Sequence, residues 1–476
     1  MKEGLTSVLA DIAGAGNVSD DPAELYVYGS DSSVHTAVPQ AVVRPGCLED
    51  VQEILRYAND NRIPVIPRGS GSGMSGQVVP IKGGIVLDMK RMNRIIEIRP
   101  KDTLARVEAG VIDDDLNRAL KPYGFFYPPA PASSKIATIG GEIANNSSGI
   151  RSVKYGATRD SVLGMKVVMA NGSIVTLGAN TRVEASGYQL DRLMVGSEGT
   201  LGVIVEATIK IVPIPDFRSM GIACFNKLED AGNTIGDVIS SGAQPSMLEL
   251  MDNVAITAVN NAQNLDLPDV DAIILFECDG NVKGAIDFEM ERIAGICENH
   301  NGFDIEMSYD AERRARLYMG RKKLFASLSR YSKGYSVISL ADDMAVPYSR
   351  MAECALKIHE VAEKHDVIMS AYGHCGSGVV HTKVLMQPGR KEKWQDAKLA
   401  VEDIYDYVRS IGGTTSGEHG IGISKAHSLK IEKRDSLWMM RAIKKALDPN
   451  GILNPGKIQD APDDWLTATN LRYSTK

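Results

Sequence analysis

No two cysteines in this chain are spaced C-x-x-C: Cys47, Cys224, Cys278, Cys297, Cys354 and Cys375 are scattered singly. That scatter argues against a cysteine-ligated iron–sulfur cluster and against a disulfide framework. Long apolar runs are missing too, so no window approaches the roughly 20 apolar residues of a membrane-spanning helix. The opening MKEGLTSVLADIAGAG, interrupted by Glu3 and Asp11, is too short and too mixed for a signal peptide. A basic excess is also absent: the net charge is -7, which disfavours a nucleic-acid binder. These absences point to the cytoplasm, with any membrane attachment supplied by a partner rather than by direct insertion. There is no internal repeat and no low-complexity tract.

What is present is the balance of a soluble globular protein, 43% hydrophobic and 24% charged over 476 residues, long enough for two domains or three. Residues 1 to about 30 read as a helical lead-in. AVVRP, then LEDVQEILRYANDN with apolar residues at helical spacing, then IPVIP predict strand–helix–strand. Strands follow at GGIVLDM, RIIEIRP and TLARVEAG, then a helix at DDDLNRALKPYG and a turn-rich stretch from Phe126 to Tyr155. Asn171-Gly172 between two alternating runs predicts a hairpin. Pro213, Pro215 and Asp216 suggest a boundary, giving domains over 1–216 and 217–425. A tail, 426–476, is expected to fold back on the first domain.

The loop PRGSGSGMSG contains Gly71-Ser72-Gly73-Met74-Ser75-Gly76, formally G-x-G-x-x-G. A dinucleotide fingerprint of the Rossmann type needs a helix directly afterwards, and QVVPIKGG cannot start one. No G-K-[ST] follows, so it is not a Walker loop. The glycines and serines still expose backbone N–H groups as an anion nest, with a plain flexible loop as the alternative.

This loop, together with TIGGEIANNSSGIRSVKYGATRD (Thr138–Asp160) and VGSEGTLGVI (Val195–Ile204), resembles the FAD-binding domain of the vanillyl-alcohol oxidase / p-cresol methylhydroxylase superfamily. Within it the chain most resembles the FAD-linked D-lactate dehydrogenase / glycolate oxidase D-subunit branch, from about Pro39 to Ile458. The resemblance implies an α+β fold: a two-subdomain FAD-binding domain, and an α+β cap domain with an antiparallel sheet. C-terminal helices return to the FAD domain. It also implies flavin contacts. In the first loop these are Arg68, Gly69, Ser70, Gly71, Ser72, Gly73, Met74, Ser75 and Gly76. The second segment supplies Pro131, Thr138, Gly140, Gly141, Asn146, Gly149, Tyr155 and Gly156. The third supplies Glu198, Gly199, Gly202 and Ile204, and the closing LDPNGILNPGK supplies Asn454. Some superfamily members tether FAD through a histidine in the first loop; Ser70 and Ser72 stand here instead, so noncovalent FAD is expected.

GHCGSGVVH places His374 and His381 seven residues apart, among glycines that disfavour a helix. A turn between two extended segments can bring both imidazoles together, and SGEHGIG adds Glu418 and His419. Two imidazoles and a carboxylate suit a divalent transition metal, although a single His in a glycine-rich turn is more often structural. In the branch the matching residues bind zinc, iron or manganese, and the counterpart of His419 is the base. Arg321, in MGRKKLF, matches the branch arginine that clamps the substrate carboxylate; its helix also carries Arg313, Arg314, Arg316, Lys322 and Lys323, so a solvated basic face is the alternative.

The branch pattern G-H-x-G-D-G-N-x-H is altered here at Ser377 and Val379. Positions that hold a second carboxylate in related hydroxyglutarate dehydrogenases are Lys383, Phe325 and Ala341, which favours a small monocarboxylate, with a charge restored by Lys383 as the alternative. Cys375 reads as an inert thiol or as a soft ligand. The implied function is oxidation of a small D-2-hydroxy acid, D-lactate before glycolate, to the 2-oxo acid. With no iron–sulfur or nicotinamide motif in the chain, electrons are expected to pass to a protein partner, an electron-transfer flavoprotein or an iron–sulfur subunit. The alternatives are a noncatalytic FAD-domain subunit of a glycolate oxidase-like complex and a non-redox FAD enzyme of the same fold.

Overall fold

The apolar spacing in LEDVQEILRYANDN becomes the helix Leu48–Asn61, which buries Val51, Ile54, Leu55 and Ala58 on one stripe. Each of the larger three contributes about 1.5–3 kcal/mol by leaving water. The computed structural model describes residues 4–340 and 343–472; Ala341 lies outside them. The described residues fall into two units. One comprises the chain through Ser147 with Ala157–Ile214 and His419–Arg472; the other comprises Ser148–Gly156 with Pro215–Glu418.

The first unit holds two principal sheets. Ala41–Val43, Ile85–Asp88 and Val65–Arg68 are parallel neighbours, edged by Val18–Ser19. Parallel strands are buried on both faces and read as short unbroken apolar runs, which AVV and IVL are. The second sheet is antiparallel, in the order Ile174–Gly178, Val162–Val168, Val203–Lys210, Leu104–Glu108, Ile95–Arg99. The expected hairpin forms, with Gly172 at φ 78° in its turn, a conformation that costs glycine nothing. Ile452 and Leu453 enter the core of the first sheet, and Ile443 and Leu447 pack on that of the second, so the C-terminal segment is part of this unit.

One feature of this unit departs from expectation. The turn-rich stretch contains a helix, Ile139–Asn145. Its two glycines hid it. Thr138 caps it by accepting the Gly141 N–H, and Gly140 is needed because a Cβ there would lie 2.6 Å from the Ala109 Cβ.

The second unit is built on one antiparallel sheet, eight-stranded among the described residues, in the order Phe303–Ser308, Phe217–Phe225, Ala272–Gly280, Met247–Asp252, Ile368–Gly373, Val379–Met386, Ser336–Ile338; Asp343–Ala345 also pairs with Val379–Met386. Met251, Ile273 and Leu275 share a buried cluster with Ala255, Leu317 and Leu324 from helices. The basic stretch read as one helix is two, Ala311–Lys322 and Leu324–Leu328, separated at Lys323. Among the described residues no helix is long and apolar enough to cross a membrane.

Candidate functional site

His374 and His381 flank a hairpin. The strand Ile368–Gly373 ends at His374, a short 3-10 turn covers Cys375–Ser377, and Val379–Met386 returns antiparallel with Tyr372 opposite His381. Gly373 and Gly378 take positive φ there, at 158° and 79°. Gly378 gives the left-handed exit that lets so short a turn close. The two imidazoles meet edge to face, and Glu418 joins them. Its Oε1 lies 3.4 Å from His374 Nε2 and 3.2 Å from His381 Nε2. Ligands about 2.0–2.1 Å from a tetrahedral ion sit about 3.4 Å from one another. One donor atom from each residue lies within 4.8 Å of the others, all three side chains are buried, and the set fits a divalent transition metal.

The electrostatics explain why charge persists here. Burial alone would lower the His374 pKa, but the carboxylates of Glu249 and Glu418 outweigh it and lift it to about 9. Burial alone would raise Glu418; His374 and His381 override it and hold its carboxyl well below the usual range. Asp343, fully buried, accepts the backbone N–H of Glu418 and fixes the main chain there. Cys375 is buried beside the cluster in sequence, with its thiol 3.8 Å from the Val379 carbonyl oxygen and pushed up by burial, the profile of an unreactive thiol.

Arg321 separates from the rest of its basic helix. It is 7% exposed, whereas Arg313 lies outside and pairs with Glu306. Arg321 Nε donates to Glu249 Oε2 at 2.6 Å, and its Nη2 lies 3.4 Å from His374 Nδ1. Lys383, on the same strand as His381, is also buried, with Nζ 5.2 Å from the centroid of the Phe325 ring.

Most residues assigned to the flavin gather in the other unit. Gly69 approaches Thr138 so closely that a Cβ would collide with its hydroxyl. Ser70 Oγ donates to the Ile136 carbonyl oxygen, joining the glycine loop to the second segment. Gly71 takes the left-handed conformation, and the loop's Gly73 carbonyl accepts the Ser32 N–H at 2.9 Å. Arg68 donates to the Ser30 carbonyl oxygen at 2.8 Å. Asn146 accepts the Arg159 N–H, Gly199 lies against Pro67, and Gly202 against Val167. Ile204 is core, and Pro131 caps a turn by accepting the Ser134 N–H. Asn454 donates to the carbonyl oxygens of Gln77 and Glu198 at 2.8 and 2.7 Å, tying the tail to two of the segments. Gly149, Tyr155 and Gly156 cluster instead with the second unit. Tyr155 there donates to the Asp279 carboxylate at 2.9 Å, beside the Lys154–Asp279 ion pair.

The chain passes between units at the bond from Glu418 to His419. Beyond it, the His419 segment is pinned to the glycine loop. Gln77 Nε2 donates to the His419 carbonyl oxygen, and Ser75 Oγ reaches the carbonyls of His419 and Gly420. The Ser75 carbonyl accepts the Ile423 N–H at 2.7 Å. Glu198 carries its carboxylate into the same segment, accepting the N–H groups of Ile421 and Gly422 at 2.6 and 2.8 Å. Burial raises the Glu198 pKa to about 7, and those two N–H groups with Lys457 and Lys425 limit the rise.

Glu249, Gln77 and Asp343 escaped the sequence reading. Glu249 carried a signal, an acid inside the otherwise apolar MLEL of a buried strand, where a charge needs a partner. Gln77 and Asp343 carried none.

Residues 39–178 match the FAD binding domain family, and residues 214–458 match the family described as FAD linked oxidases, C-terminal domain. The chain is 35% identical over 453 residues to glycolate oxidase subunit GlcD of Bacillus subtilis, covering 94% of this chain and 95% of that protein. It is 33% identical to the mitochondrial D-lactate dehydrogenase (cytochrome) of Arabidopsis thaliana, covering 93% and 78%. Among solved structures, p-cresol methylhydroxylase with substrate bound superposes with a TM-score of 0.77 at 18% identity, over 96% of both chains. Fold and matches together define a FAD-linked oxidase of the p-cresol methylhydroxylase type. More narrowly, the chain belongs to the D-lactate dehydrogenase / glycolate oxidase family of FAD-linked oxidoreductases.

Proposed function

We propose that this protein oxidises a small D-2-hydroxy acid, D-lactate first and glycolate second, to the 2-oxo acid, and hands the electrons to a protein acceptor. The observation that supports this most is the buried His374–His381–Glu418 cluster with Arg321 held beside it. The names of the Bacillus and Arabidopsis relatives supply the substrate class. His374, His381 and Glu418 would hold a divalent zinc, iron or manganese ion, which would supply a Lewis acid, and FAD bound by the glycine-rich segments would supply the two-electron acceptor.

The chain's own residues do the rest. Arg321 presents a planar guanidinium to the substrate carboxylate, a geometry that ammonium cannot copy. His419 takes the hydroxyl proton, work for which an imidazole is suited. The Ser75, Gln77 and Glu198 contacts hold the backbone that carries it. The glycine-rich segments offer bare backbone donors to an anionic cofactor held noncovalently. The electron acceptor is an electron-transfer flavoprotein or an iron–sulfur subunit; rapid turnover of lactate on oxygen alone would replace that assignment with an oxidase.

The test is anaerobic mixing of the FAD-loaded protein with a panel of D- and L-2-hydroxy acids while flavin absorbance is followed. Bleaching by D-lactate and glycolate, slow or absent with L-lactate and 2-hydroxyglutarate, is the expected pattern. A flavin that none of them bleaches rejects the reading.

A further inference from the structure

Glu249 occupies the middle of the strand Met247–Asp252, opposite Leu275, and its side chain is completely buried. An unpaired carboxylate in such a place would be strongly destabilising. Both of its oxygens are used. Oε1 lies 2.8 Å from His374 Nδ1, and Oε2 accepts Arg321 Nε at 2.6 Å. These two partners come from different stretches of chain, 125 and 72 residues away.

The first contact fixes a tautomer. With Nδ1 donating its hydrogen to Glu249, Nε2 is the nitrogen left facing Glu418, and it is the one whose proton a metal would displace. A metal-ligating histidine is ordinarily oriented by such a partner on its other nitrogen. The second contact fixes a clamp. Holding Nε fixes the plane of the Arg321 guanidinium, with Nη2 3.4 Å from His374 Nδ1.

The strand that carries His374 has a separate anchor. Asp252, three residues along from Glu249, accepts Ser370 Oγ at 2.9 Å and the Ala371 N–H at 2.6 Å. The backbone at the hairpin is therefore secured without Glu249, whose two contacts are both to side chains of the site.

We propose that Glu249 is a positioning residue that couples the two halves of the site: one carboxylate sets both the metal-facing nitrogen of His374 and the direction of the Arg321 guanidinium. The inference rests on the metal-assisted reading above. It gives the protein a single point at which metal affinity and substrate-carboxylate affinity change together, although the residue touches neither.

Two variants test it. Glu249→Gln keeps the shape but can accept from only one of its two donors while its amide opposes the other. Glu249→Asp keeps the charge, which favours folding, but is too short to span both partners. Zinc and manganese affinities are measured by equilibrium dialysis with metal analysis, alongside KM and kcat for D-lactate and the FAD-to-protein ratio. For Glu249→Gln the expected result is a fall in metal affinity of about 10–100-fold with a rise in KM of about tenfold or more, at unchanged FAD content. Glu249→Asp is expected to lose at least about fivefold in one of the two quantities and to lie between native and Glu249→Gln in the other. Native protein that binds metal, with both variants within twofold of it in metal affinity and KM, overturns this inference alone. Native protein that takes up no metal overturns the metal-assisted reading and this inference with it.

Discussion

The imidazoles of His374 and His381 stand edge to face at 87°, with ring centroids 5.0 Å apart. This geometry aims both Nε2 atoms at the same Glu418 oxygen. Removing either ring should empty the cluster without disturbing the flavin, because the glycine loop and the VGSEG segment belong to the other unit. His381→Ala is therefore expected to lose bound metal by at least about tenfold while FAD content stays within error. Metal analysis and the flavin absorbance of purified protein check this together.

Arg321→Lys separates the clamp from a solvated basic face. A buried guanidinium that binds a carboxylate through charge-assisted hydrogen bonds contributes about 1.5–3 kcal/mol, so KM for D-lactate should rise roughly 10- to 100-fold. Arg313→Lys, on an exposed ion pair, should leave KM unchanged. Equal effects of the two substitutions would contradict the assignment.

Glu198 satisfies two backbone N–H groups with one buried carboxylate. Glu198→Ala leaves both donors without it, at about 1–3 kcal/mol each. The urea midpoint should fall accordingly, and kcat should fall with it as the His419 segment loosens. Glu198→Gln, which retains an acceptor, should lose less in both.

Gly422→Ala probes the same join by sterics. Gly422 has φ 51°, and a Cβ would lie 2.1 Å from the Ser75 carbonyl oxygen. The backbone on one side must move, so FAD retention after gel filtration should drop sharply. Gly412→Ala, where φ is 79° but nothing lies within 4 Å, should carry only the cost of strain.

Lys457 gives a pH signature. Burial lowers its pKa to about 7 from an ordinary 10.5, with Asp31 and Glu198 opposing the shift. Between those values the unfolded chain binds a proton that the native chain lacks, so stability rises with pH across that range. Glu198 acts in the opposite sense below it. Its pKa, raised from 4.5 to about 7, means that the native chain keeps a proton the unfolded chain loses, and stability falls as pH climbs from 4.5 towards 7. Lys457→Met should flatten the alkaline limb in thermal denaturation and deepen the acidic one, because Lys457 restrains the Glu198 shift.

How much of this was legible depended on whether the information was local. The hairpin that joins His374 to His381 was readable because glycines rule out a helix and seven residues suffice for a turn. The helix Leu48–Asn61 was readable from its period alone. Glu249 was not, since its partners lie 72 and 125 residues away and only folding brings them to one strand. The helix Ile139–Asn145 was hidden by Gly140 and Gly141, whose presence answers a contact with Ala109 rather than a local preference. Tyr155 sat within one continuous flavin-like segment of sequence, yet Asp279 draws Lys154 and Tyr155 into the second unit. Arg321 was set apart from its basic neighbours by resemblance alone, since its helix carries no local signal that distinguishes it; its burial now does.

The central claim is that flavin reduction depends on a metal held by His374, His381 and Glu418. Its most direct test is the anaerobic rate of FAD reduction by D-lactate in one preparation, measured as purified, after chelation, and after zinc or manganese is restored. Loss of several kcal/mol of transition-state stabilisation corresponds to slowing by about 100-fold or more on chelation, recovered on readdition. An unchanged rate in the metal-free protein, with FAD still bound, would contradict the account.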